Sequence, residues 1–81
     1  MELKDTVALM NSSDYKERFK AEYRQTKIRY EKLHKMCIQY EAGKLDFTPT
    51  CSLNLLKEQL LAMDRYLYLL ELRAALEDIN L

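Results

Sequence analysis

One glycine and one proline in 81 residues leave this chain few places to turn. That scarcity excludes folds built from many short strands and tight turns, and it favours long helices. No apolar run approaches the ~20 residues needed to cross a membrane. Two cysteines, Cys37 and Cys51, are too few for a disulfide framework, and the paired spacings of a zinc site are missing. Both would lie near one end of a hairpin, so a bridge between them is geometrically conceivable. With no apolar leader, the chain is expected to stay in the cytosol with both as thiols. The single histidine, His34, has Glu31, Lys32 and Lys35 as neighbours and no nucleophile beside it. There is no Gly-rich phosphate loop, no GxSxG and no HExxH. The chain therefore reads as a non-enzyme with no metal and no cofactor.

Charge excludes a second class. Thirteen basic and thirteen acidic residues cancel, but unevenly. Residues 15–44 hold nine Lys or Arg against four Glu. Residues 45–81 hold three bases against six acids. Interleaved acids, zero net charge and no recognition-helix turn argue against DNA binding. The unequal halves suit two complementary helices, or a face that holds a small anion. Such a face would be the stripe Lys16, Lys20, Arg24 and Lys27.

What is present is heptad periodicity. Phe19, Tyr23, Thr26, Tyr30, Leu33, Cys37 and Tyr40 alternate in steps of four and three. Leu53, Leu56, Leu60, Met63, Leu67, Leu70 and Ala74 do the same. The Asn11–Asp14 cluster supplies N-cap residues for the first of these helices, and Gly43 sits where a left-handed C-cap belongs. Leu45 and Phe47 in the connection are placed to plug that end of the hairpin. The second long helix starts either with Pro49 after Thr48 or with Ser52 as cap. The expected fold is all-α: an antiparallel two-helix hairpin, about 14–42 and 50–78. A short helix or arm over 1–12 precedes it, with Leu3, Val7 and Met10 as its apolar positions.

The second long helix carries another stripe: Leu55, Gln59, Ala62, Tyr66, Leu69, Arg73 and Leu76. One hairpin partner covers only one stripe. A chain this small has little left to cover the other, and small helical chains gain stability by association. The expected assembly is a homo-oligomeric helical bundle joined through Leu55, Ala62, Leu69 and Leu76. Gln59 and Arg73 interrupt that seam. Polar residues there either fix register and subunit number or line a ligand pocket at a subunit junction. Tyr66 lies between them, where a ring can stack on a base. Tyr23, Arg24 and Lys27 are the candidates contributed by the first long helix, with Tyr23 also suited to the core.

The segments EYRQTKIRYEKLHKM and LLKEQLLAMDRYLYLLELR resemble small helical-hairpin proteins of bacteriophages, including those related to crAss-like phage proteins. The pattern rests on Glu22, Tyr23, Lys32 and Leu33, then on Leu55, Leu56, Gln59, Leu60, Ala62, Met63, Tyr66, Leu67, Leu70 and Arg73. It covers about residues 14–76. These proteins are similar to the hairpin of anti-CBASS and Thoeris anti-defence sponges. The resemblance implies a homo-oligomer, possibly a hexamer. It would sequester a cyclic di- or trinucleotide immune signal, without cleaving it, in the cytoplasm of an infected bacterium. Gln59, Tyr66 and Arg73 match the family pattern, with Arg73 as the anion contact. Two alternatives stand beside it: an anti-CRISPR-like inhibitor that docks on a defence enzyme, and a purely structural or regulatory oligomer.

Overall fold

The computed structural model describes residues 2–81. Among them there is no strand. A 3-10 turn, Leu3–Thr6, runs into the one-turn helix α1, Val7–Met10. The long helices are α2, Tyr15–Glu41, and α3, Leu53–Leu76. At ~1.5 Å per residue α2 is ~40 Å long, close to the longest molecular dimension of 43 Å. Contacts fix the antiparallel sense. Tyr15 at the start of α2 meets Arg73 near the end of α3. Glu41 at the end of α2 pairs with Lys57 near the start of α3, at 3.3 Å.

The ends are set by local chemistry. Asp14 caps α2 by accepting from the Lys16 N–H at 2.9 Å. Ser52, not Thr48, caps α3, accepting from the Leu55 N–H at 3.2 Å. At the end of α2, Gly43 takes a φ of 71°. The Lys44 N–H then reaches the Gln39 carbonyl at 2.9 Å, and the Gly43 N–H reaches Tyr40 at 3.1 Å. Two otherwise orphaned carbonyls are satisfied there. α3 closes in the same way, but with Asp78 at the left-handed position, φ 56°. The Ile79 N–H reaches the Ala74 carbonyl at 2.8 Å.

Both inner seams are where the heptads place them. Phe19, Tyr23 and Cys37 from α2 and Leu56, Leu67, Leu70 and Ala74 from α3 are buried. The remaining seam positions are half-buried. The core is densest at the end away from the connection. There Phe19, Tyr23, Leu67, Leu70, Ala74 and Ile79 form one cluster, with Tyr30 and Leu81 packed against it. The Asp78 turn folds Ile79 back onto this cluster, so the tail caps the hairpin's end.

Two expectations need correction. Phe47 does not plug the connected end: it is 55% exposed. The segment from Gly43 to Ser52 is a series of bends without a regular element, and it turns that ring outward. The N-terminal segment is anchored by Thr6, fully buried, rather than by Val7 or Met10, which are exposed. Thr6 donates to the Leu3 carbonyl at 2.7 Å, which satisfies its hydroxyl locally. This segment packs on α2 alone. It covers Ala21, two positions from both Phe19 and Tyr23 and so about 200° around the helix from them. Ala21 is completely buried, and its small side chain lets the two backbones approach. Both cysteines are free thiols, Cys37 buried and Cys51 exposed.

Leu70, 1% exposed, is the most enclosed large side chain of the cluster. Leu70→Ala is expected to cost about 2–5 kcal/mol, measured by denaturant unfolding at fixed chain concentration. Asp78→Val places a β-branched residue at positive φ and is expected to cost about 1–2 kcal/mol. Asp78→Gly is expected to hold or raise the melting temperature in the same assay.

Candidate functional site

Seven residues is two turns of helix, so positions seven apart share a line. Tyr15, Glu22 and Arg29 follow one such line along α2, beside its inner seam. Gln59, Tyr66 and Arg73 follow another along α3. Because the helices run antiparallel, the two lines meet as three rungs: Tyr15 with Arg73, Glu22 with Tyr66, and Arg29 with Gln59.

The first rung is closed by a network. The Arg73 guanidinium donates to the Tyr15 hydroxyl at 2.9 Å. That hydroxyl in turn donates to the Glu77 carboxylate at 2.9 Å. Arg73 also pairs with Glu77 at 3.4 Å and lies 5.0 Å from the Phe19 ring centroid. Three contacts orient the guanidinium, yet its side chain stays half exposed. The second rung is closed by a hydrogen bond from the Tyr66 hydroxyl to Glu22. This bond, with desolvation and the nearby negative charge, raises the Tyr66 pKa above its usual 10.0, while Arg73 pulls the other way.

The third rung is open. Arg29 and Gln59 share a cleft of about 460 Å³ with Thr26, Leu33 and Met63. The ion pairs among the described residues are Lys57–Glu41 and Arg73–Glu77, so Arg29 brings an unpaired positive charge to the cleft. The cleft thus offers a guanidinium, an amide and a hydroxyl above an apolar floor of Leu33 and Met63. That set suits an anion joined to a flat polar group: the fork binds phosphate oxygens, and the amide reads a base edge.

Of the six ligand residues expected from sequence, Gln59, Tyr66 and Arg73 share this edge. The other three do not join them within one chain. Arg24 lies two positions from Glu22, about 200° around α2, and donates to the Leu81 carbonyl at 3.2 Å. Tyr23 is buried in the core. Lys27 sits 5.6 Å from its ring centroid and 3.5 Å from its hydroxyl. His34 stacks on Tyr30, centroids 5.9 Å apart, and is exposed. Among the described residues no group of acidic, His or Cys side chains is arranged to hold a metal. Tyr15, Glu22 and Arg29, which complete the three rungs from α2, are not among the six. Their seven-residue spacing beside the inner seam was the available signal.

A comparison with known families matches residues 13–76 to the Sequestin family model. The chain belongs to the Sequestin family. No curated protein and no solved structure matches it. The Sequestin match takes in all three rungs, both long helices and the connection between them. The family name denotes sequestering, a binding role rather than a catalytic one. No described helix is long and apolar enough to cross a membrane.

A raised tyrosine pKa favours the protonated form in the folded state. Its contribution to stability is full below pH 10 and is lost as pH rises through the raised value. An ultraviolet titration compared with Tyr66→Phe is expected to show Tyr66 ionising later than a free tyrosine. Glu22→Gln is expected to bring it back toward the usual range.

Proposed function

We propose that this Sequestin chain is a phage anti-defence protein. It binds a cyclic oligonucleotide immune signal and withholds it, without cleavage, in the cytoplasm of the infected bacterium. The observation that carries the reading is the open Arg29–Gln59 rung, on the same edge as Tyr66 and Arg73 and inside the Sequestin match. An uncommitted guanidinium, an amide and an exposed aromatic edge are what a phosphodiester-linked base requires. Membership of a family named for sequestering supports binding rather than turnover. The resemblance to oligomeric sponges and the exposed seam Leu55, Ala62, Leu69, Leu76 support a homo-oligomer with ligands at its junctions.

A second reading has one observation in its favour. The exposed basic residues Lys32 and Lys35 of α2 lie together outside the cleft and suit an acidic protein surface. Under that reading the chain inhibits a defence enzyme by docking.

Calorimetry against cyclic di- and trinucleotides tests the first reading, with chromatography of the recovered ligand to show it intact. Arg73→Ala is expected to weaken binding by roughly ten- to a hundredfold, the loss of one charge-assisted hydrogen bond worth about 1.5–3 kcal/mol. The variant oligomer is expected to remain assembled. No heat with any cyclic nucleotide would favour the docking inhibitor.

A further inference from the structure

We infer that Glu22 reads a base of the sequestered ligand, and that this base is guanine. The inference rests on the sequestering reading above and deepens it. It makes Glu22 the specificity-determining residue of the edge that α2 and α3 form within one hairpin.

That edge is otherwise suited to an anion. Arg29 and Arg73 stand on it, and Glu22 is the one acid among the six residues of the three rungs. A carboxylate beside a phosphate site repels the ligand unless it accepts hydrogen bonds from it. Glu77, close to the first rung, is already committed to Arg73 and to the Tyr15 hydroxyl. Glu22 is not committed in that way. One of its oxygens accepts from the Tyr66 hydroxyl. The ion pairs among the described residues, Lys57–Glu41 and Arg73–Glu77, leave it out. Its second oxygen accepts no hydrogen bond from the described residues.

Tyr66 holds that carboxylate in place. The bond crosses from α3 to α2, so Glu22 is anchored by its backbone at one end and by Tyr66 at the other. The raised Tyr66 pKa keeps the hydroxyl a donor well into alkaline solution. Glu22 is also half-buried, and partial shielding from water strengthens the bonds its free oxygen can make.

Spacing relates Glu22 to the open cleft. Glu22 and Arg29 lie one heptad apart, ~10 Å along α2. Thr26 on α2 and Met63 on α3 fall between the second and third rungs, and both line the Arg29–Gln59 cleft. The edge therefore reads in order: a guanidinium with an amide, an apolar middle, then a tethered carboxylate. A nucleotide reads in a matching order: phosphate, sugar and ring, then an edge of N–H donors. With phosphate oxygens on the Arg29 fork, the ring lies over Met63 and its far edge comes to Glu22.

Donor counts select the base. A carboxylate accepts and cannot donate. Guanine turns its N1–H and its N2 amino group the same way, two donors side by side for one carboxylate. Adenine offers one amino group beside the N1 lone pair, and that lone pair would face a carboxylate oxygen. Cytosine has the same fault at N3. Uracil sets a single N–H between two carbonyls. Guanine alone matches Glu22 without an opposed lone pair.

Calorimetry of the full chain with cyclic diguanylate and cyclic diadenylate tests the assignment, with circular dichroism to confirm that each variant is folded. The wild type is expected to bind cyclic diguanylate at least tenfold more tightly. Glu22→Gln keeps the shape but offers one donor and one acceptor, which suits adenine. It is expected to reverse the order of the two ligands, a result that a merely structural role for Glu22 would not give. Tyr66→Phe frees the carboxylate but keeps its charge, and is expected to shrink the guanine preference without reversing it. A wild type that binds both ligands equally would overturn the guanine assignment and leave the sequestering function standing. A folded Glu22→Gln that keeps the wild-type preference, or weakens both ligands by one factor, would do the same. A wild type that binds neither these two nor any cyclic trinucleotide would overturn the proposed function together with the assignment.

Discussion

Phe19 and Tyr23 from α2 pack against Leu67, Leu70 and Ala74 from α3, and the register of that contact governs the rest. A shift of one residue rotates a helix by about 100° and a shift of one heptad moves it ~10 Å along its partner. Either change would separate Tyr15 from Arg73 and Glu22 from Tyr66. The polar rungs therefore follow from the apolar seam. They add geometric definition at the surface, where exposed ion pairs themselves contribute little. Ile79 reinforces the register from the end, because the Asp78 turn returns it to the same cluster.

Two of the three rungs satisfy themselves and one does not. Arg73 is held by Tyr15, Glu77 and the Phe19 face, so its guanidinium is oriented by its own chain. Arg29 lines the open cleft and takes part in neither ion pair of the described residues. The two arginines thus differ in how firmly the hairpin itself fixes them.

The hairpin could be read from the sequence because its seams are long and strictly periodic. Fourteen heptad positions in two helices all turned inward, and Asp14 and Gly43 marked ends that the hydrogen bonds then explained. The start of α3 stayed open between Pro49 and Ser52 until the Ser52 hydrogen bond decided it. The tail could not be read. Asp78 looked like the last residue of a helix, and nothing local says that Ile79 turns back into a core. Phe47 misled because an apolar residue beside a hairpin end invites burial, while its actual exposure depends on the bends of the connection. The candidate edge was visible in part. Gln59 and Arg73 stood out as polar breaks in an apolar stripe. Arg29 lay hidden among nine basic residues of one segment, since only the pairing of the helices separates it from Arg24 and Lys27.

The N-terminal segment has a consequence for the back of the hairpin. By packing on α2 it covers Ala21 and the helix surface around it with residues of the same chain. In coating terms α2 carries a fitted liner, while the outer side of α3 stays bare, with Leu61, Tyr68 and Leu76 the most exposed of its large apolar side chains. The two long helices therefore differ in how much apolar surface they present to water.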